Sequence, residues 1–293
     1  MSVKFEFDFY FDWLCFAKSE LDNAKIDTSN LIDDQLSLAY LNVRKKLITP
    51  VARNVLKSRG FLCPPDHING LKKLEQEIEA GYNLTPYLSK SVLDPYFHDD
   101  LLNHWGIYHL HLGEVLKNDF ITRTSSLLYV RFDEENAYFL DIREHGAWTQ
   151  QDIIQIIHDN WPQSISAYRT HSNSSVMYHI TDEDVKKLRK ARINFPVMVS
   201  DGIIYEGLGN GVASNGNNIG AVDIRSNIKI KINKWEDGIN KNLNKIVKDA
   251  ESKGIFLSGT YQLKLGFDGS KAFAFEKNGI FSFKLGFLFP YDF

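Results

Sequence analysis

The sequence predicts an α+β protein, and three observations carry that expectation. Two segments near the centre, SLLYVRFD and AYFLDIR, alternate apolar residues across a three-residue turn, the mark of an antiparallel hairpin. The last third carries further alternating runs joined by Asp268-Gly269 and Asn278-Gly279, dipeptides suited to tight hairpin turns. Between these lie runs with apolar residues every three or four positions, the period of an amphipathic helix. The expected layout is a mainly helical N-terminal region over 1–103, a small α+β core with an antiparallel sheet over 104–165, and a C-terminal α+β domain over 166–293 with a helix on an antiparallel sheet.

The elements follow in order. Val3, Phe5, Phe7, Phe9 and Phe11 alternate with polar residues and Tyr10, which predicts a strand running on into a helix. Leu31, Ile32, Leu36, Tyr40, Leu41 and Leu47 predict a helix within 29–59, interrupted at Pro50. That segment also holds the strongest basic cluster, Arg44, Lys45, Lys46, Arg53, Lys57 and Arg59, read as a solvated helix face in preference to a nucleic-acid contact. GFLCPPDHING is a loop, Leu71 to Ala80 a helix closed by Gly81, and residues 83–100 an irregular connector. Gly106 to Gly113 is a strand with Tyr108, Leu110 and Leu112 on one face and Ile107, His109 and His111 on the other. After the hairpin, Thr149 is expected to N-cap a helix ending before Pro162. Thr181 caps another, Asp182 to Ala191, and FPVMVSD and GIIYEG are strand-like. The glycine-rich run GLGNGVASNGNNIG precedes a predicted strand, DIRSNIKIKIN. A phosphate cradle would open a helix instead, so the run reads as a flexible loop, with a lid over a site as the intermediate case. A helix over Trp235 to Lys253 leads into the last strands.

Composition bounds the function. The 293 residues are 43% hydrophobic and 24% charged with a formal net charge of -3, which gives no global attraction to nucleic acid. The first residues carry Lys4, Glu6, Asp8 and Asp12 and do not form a signal peptide, and no window reaches eighteen apolar residues, so a cytoplasmic protein without a membrane span is expected. Cys15 and Cys63 read as buried free thiols. Ser172, Ser174 and Ser175 near His171 and His179 make no nucleophile elbow.

Chemistry concentrates between His104 and His145. Residues two apart on a strand point the same way, so His109 and His111 project together. Such a pair can transfer protons near neutral pH, or bind a metal with a third ligand from His145, Asp141 or His104, or be structural. Arg123 at a strand entrance can hold a phosphate or form a surface ion pair. Asp141 is the candidate to orient a histidine, and His145 ends a strand beside Gly146. Tyr129, Arg131, Arg143 and His104 complete the candidate substrate contacts. A base, an acid and a cation without a carboxylate cluster suit cleavage of RNA by its own 2'-hydroxyl.

The order IYHLHLG, RTSSLLYVRF, AYFLDIREHG resembles the layout of the RelE-type toxin ribonucleases over residues 104–162. The resemblance implies an endoribonuclease acting on RNA with neither metal nor cofactor, restrained by an antitoxin or by the flanking regions. The expected function is therefore a metal-independent endoribonuclease of toxin or phage-defence type. Two other readings stand beside it, a non-enzymatic interaction or assembly module with structural histidines, and a metal-dependent hydrolase.

Overall fold

The structure, a computed structural model, describes residues 2–170 and 180–288. The serines and histidines between 171 and 179 named above lie outside the described residues. The chain opens with β1 (Lys4–Glu6), α1 (Phe9–Asn23) and α2 (Asp33–Lys46). There follow β2 (Asn54–Lys57), α3 (Ile68–Glu79), α4 (Asp100–Trp105), β3 (Tyr108–His111), the two-residue strands β4 (Leu116–Lys117) and β5 (Phe120–Ile121), β6 (Ser126–Phe132) and β7 (Asn136–Glu144). Then come α5 (Asp152–Asn160), α6 (Asp182–Lys190), β8 (Val197–Met198) and β9 (Ile204–Tyr205). The last elements are α7 (Ile219–Lys241), α8 (Leu243–Ser252), β10 (Thr260–Asp268), β11 (Lys271–Glu276) and β12 (Ser282–Phe287). The class is α+β, as expected.

Two compact units result, Met1–Arg44 with Ala221–Phe293, and Lys45–Gly220. This division differs from three consecutive segments because pairing joins distant parts of the chain. β1 lies parallel to β10, Phe5 opposite Tyr261, which puts the N-terminus in the sheet β1-β10-β11-β12. The Asp8 side chain accepts from the Phe11 amide at 2.8 Å, capping α1 and ending the early alternation. Phe11 is consequently exposed, while Phe9, Trp13 and Ala17 are fully buried at helical spacing.

Two expectations fail here for identifiable reasons. Residues 223–233 belong to α7, not to a strand. The lysine–isoleucine alternation there is incidental, since Ile228 and Ile232 are buried and Ile230 is 51% exposed, a four-residue period. The helix expected through Arg59 stops at Lys46, and β2 forms beyond Pro50 by pairing parallel with β7.

The second unit is built on the sheet β2-β7-β6-β3, covered on both faces. One face packs Leu110, Leu128, Val130 and Phe139 against Leu71, Leu74 and Ile78 of α3. The other packs Ile107, Leu127 and Tyr129 against Ile153, Ile154 and Ile157 of α5 and Val185 of α6. α3 sits close enough that a Cβ at Gly70 would lie 1.8 Å from the Leu112 carbonyl oxygen. Gly70→Ala is therefore expected to lower the urea midpoint, at a cost of about 1–3 kcal/mol from overpacking, with an unchanged m-value.

The basic cluster is not one solvated helix face: it is split between α2 and the segment around β2, with Lys57 and Arg59 exposed and Lys46 and Arg53 buried. Lys46 is buried and donates to the Asp94 and Phe97 carbonyls, and burial lowers its pKa to about 8. Arg53 donates to the carbonyls of Asp133 and Thr49, and Lys57 pairs with Glu75 at 2.8 Å. Both cysteines are free; Cys15 is exposed and Cys63 partly so, against the expectation of burial. Among the described residues no helix is long and apolar enough to cross a membrane.

Candidate functional site

A cavity of about 440 Å³ opens where β3 ends, and His109, His111, Arg123 and His145 all line it. The sheet register explains why three segments meet there. His109 stands opposite Tyr129, and His111 opposite Leu127, with both histidines on the α5 face. His145 follows β7 directly, and its amide donates to the Ser125 carbonyl at 2.9 Å, which holds the strand's end beside the start of β6. Trp148 then folds back between imidazoles, its ring 4.6 Å from that of His109 and 4.9 Å from that of His145.

The two strand histidines have different hydrogen-bonding states. His111 is buried, and its Nδ1 accepts from the Thr124 amide at 3.2 Å. That bond assigns the proton of the neutral ring to Nε2, so His111 is a donor from that nitrogen. Burial first, then Arg123 and the neighbouring histidines, lower its pKa to about 4. The His109 Nδ1 faces Asp99 Oδ2 at 3.6 Å, beyond hydrogen-bond length but close enough for the carboxylate to favour a proton on Nδ1. Its Nε2 is then the basic nitrogen. Burial lowers the His109 pKa, Asp99 opposes that shift, and His145 adds to it.

Asp99, not Asp141, is thus the carboxylate beside His109. Its other oxygen accepts from the Leu102 amide at 3.0 Å as the N-cap of α4, which fixes the carboxylate in place. Asp141 accepts from Arg143 Nε at 2.9 Å and from the Ile142 amide. The reason is a β-bulge between the Tyr129 and Val130 pairings: Val130 opposes Phe139, and Tyr129 opposes Asp141. Phe139 and Asp141, two apart on β7 and so on one face of a regular strand, are separated by that irregularity, and Phe139 packs in the α3 core.

The remaining sequence candidates do not line this cavity. Arg143 forks onto Asp152 with two 2.8 Å bonds and also donates to Gln150, tying β7 to the start of α5. Arg131 is buried and donates to the carbonyls of Trp105 and Leu208 at 3.2 and 3.3 Å, a clamp inside the core. Tyr129 is fully buried, and desolvation raises its hydroxyl pKa. His104 lies on α4, stacked 5.2 Å from Phe195, and lines a second cavity of about 390 Å³ with Asn194, Glu206 and Asn210. The glycine-rich run is pinned there and not free. The Gly209 and Gly211 amides donate to His104 and Asn103 carbonyls, and a Cβ at Gly209 would meet the Leu102 carbonyl oxygen at 2.1 Å.

Several residues of the cavity were not singled out by sequence pattern: Ser89, Asp99, Asp100, Trp148, Lys186 and Arg189. Thr149 also lines it, and does not cap α5, which begins after Gln151. Thr181 does cap α6, in a reciprocal box with Asp184. Among the described residues no three His, Cys, Asp or Glu side chains are placed to hold a metal ion.

Burial of neutral imidazoles gives a stability prediction. His104 and His111 both fall from the ordinary 6.5 to about 4, each chiefly by burial. The unfolded chain therefore binds more protons between those values, and their contribution is present above pH 6.5 and lost as pH falls towards 4. Urea titrations are expected to show stability declining in that window by up to about 1.4 kcal/mol per pH unit for each histidine. A flat profile from pH 6.5 to 4 would contradict neutral buried histidines.

No protein-family model matches the chain, and neither a curated protein nor a solved structure is detectably similar to it.

Proposed function

We propose that this chain is a metal-independent endoribonuclease that cleaves RNA by attack of the 2'-hydroxyl on the adjacent phosphate. The observation that carries the reading is the convergence of His109, His111, His145 and Arg123 on one cavity, with the two strand histidines in complementary hydrogen-bonding states. His109 Nε2 takes the proton of the 2'-hydroxyl, and burial keeps that ring in its neutral, basic form at pH 7. The oxygen attacks phosphorus as the 5'-oxygen leaves, and His145 acts as the general acid that supplies the leaving group's proton, giving a 2',3'-cyclic phosphate and a 5'-hydroxyl. Arg123 and the His111 Nε2–H hold the non-bridging oxygens, where negative charge develops. Arg131 and Tyr129 take no part, being buried in the core, nor do Arg143 and Asp141, which are bonded to each other and, through Arg143, to Asp152 at the start of α5. The same reading gives the protein RNA as substrate and a restraining protein of the antitoxin kind as partner.

The test is RNA cleavage by the full chain with excess EDTA present. Cleavage that persists in chelator and yields cyclic phosphate ends is expected. Activity lost in chelator and restored by a divalent cation would overturn the mechanism. The interaction-module reading would replace it if the wild-type chain leaves RNA intact yet captures a protein partner equally well after His109→Ala and His145→Ala.

A further inference from the structure

One side chain in the cavity is arranged to hold an anion. Arg189 lies on the inward face of α6, four residues after the fully buried Val185, and is itself only 5% exposed. Its Nη1 donates to the Trp148 carbonyl, and its guanidinium lies over the Trp105 ring with Cζ 4.1 Å from the centroid. These contacts fix both the position and the plane of the group. They leave Nε–H and Nη2–H, the parallel donors of the side-on fork, and neither has a hydrogen-bond partner among the described residues.

A buried guanidinium with unmade bonds is costly, and that cost is relieved when an oxyanion docks on the fork. Among the described residues neither carboxylate of the cavity fills the fork. Asp99 is occupied by the Leu102 amide on one oxygen and faces His109 with the other. Asp100 lines the same cavity and still leaves both Arg189 donors unbonded. Lys186, three residues before Arg189 on the same helix, also lines it, as does Arg123. Arg123, Lys186 and Arg189 outnumber the two carboxylates of the lining, Asp99 and Asp100, which favours an anionic ligand, and about 440 Å³ suits one of nucleotide size.

We infer that the fork of Arg189 receives a second phosphate group, so that the cavity selects a nucleotide carrying two phosphates, one against Arg123 and one against Arg189. The choice of phosphate rests on the ribonuclease reading; the existence of an oxyanion receptor rests on the geometry of Arg189. The substrate class becomes an RNA segment gripped by the scissile phosphate and the next phosphate along the strand, or by a terminal one.

Calorimetric titration of the full chain with adenosine 3',5'-bisphosphate and with the 3'- and 5'-monophosphates tests this. The bisphosphate is expected to bind roughly tenfold or more tightly than either monophosphate, the value of a charge-assisted pair of bonds. Arg189→Lys keeps a positive charge but loses the fork, and should erase most of that preference while leaving the weaker monophosphate affinity in place. No preference in the wild type, or a preference unchanged in Arg189→Lys, would overturn the inference. If Arg189→Lys does not fold, Asp100→Asn replaces it: removing a negative charge from the cavity lining should tighten bisphosphate binding severalfold, and unchanged or weaker binding counts against the receptor. Bisphosphate preference without RNA cleavage removes the nuclease reading and leaves the receptor standing. Cleavage without the preference does the reverse.

Discussion

Replacing His109 with alanine is expected to lower RNA cleavage by about 10²- to 10⁴-fold, the range for loss of a general base. The more informative variant is Asp99→Asn. Asparagine caps helices about as well as aspartate, so α4 keeps its N-terminus. What disappears is the negative charge 3.6 Å from His109 Nδ1, the one influence that raises the His109 pKa against burial. Without it the ring titrates lower, and the acid limb of the kcat/KM profile should move to lower pH while the maximal rate falls by a smaller factor than in His109→Ala. Asp99 is thus a positioning residue, and the displaced limb separates it from a purely structural cap. A reduced rate with the acid limb unmoved would remove Asp99 from the mechanism. An unchanged rate in His109→Ala would remove the base itself.

Sequence reading reached the histidines and missed their partner for a physical reason. His109 and His111 were legible because a strand's two-residue period is rigid, and the pattern through Leu110 and Leu112 fixes which face they share. Arg123 and His145 were legible as residues at strand ends, where loops deliver side chains into clefts. Asp99 stands outside any repeating pattern, in a connector whose conformation is set by capping a six-residue helix. Its clue was local, an acidic residue just ahead of an apolar run, and pointed to a helix start without pointing to a histidine. Arg189 was hidden differently. Within DEDVKKLRK it looks like one of several surface cations, and only its four-residue offset from Val185 places it on the buried face. The bulge opposite Tyr129 is invisible to a two-residue period, and it alone moves Asp141 and Arg143 across the sheet relative to Phe139.

At Trp105 fold and site depend on one residue. Its ring is 1% exposed, packs edge-on to Phe195 at 6.4 Å, and forms the platform beneath Arg189. Its carbonyl accepts from Arg131, which also donates to the Leu208 carbonyl in the glycine-rich loop. Trp105→Ala is therefore expected to destabilise the fold by about 3–5 kcal/mol, the cost of emptying a large buried aromatic site. Trp105→Phe should cost much less, because it keeps an aromatic face under the guanidinium and removes an indole N–H that is buried without a partner among the described residues. Urea denaturation checks both, with m-values held constant to show that only stability has changed. A loss below about 1 kcal/mol in Trp105→Ala would mean that the site collapses onto neighbouring side chains and that α4 does not depend on this contact. Binding gives the second readout. Trp105→Phe should retain the bisphosphate preference, whereas folded Trp105→Ala should lose it, because a guanidinium without its platform no longer holds the fork at one angle.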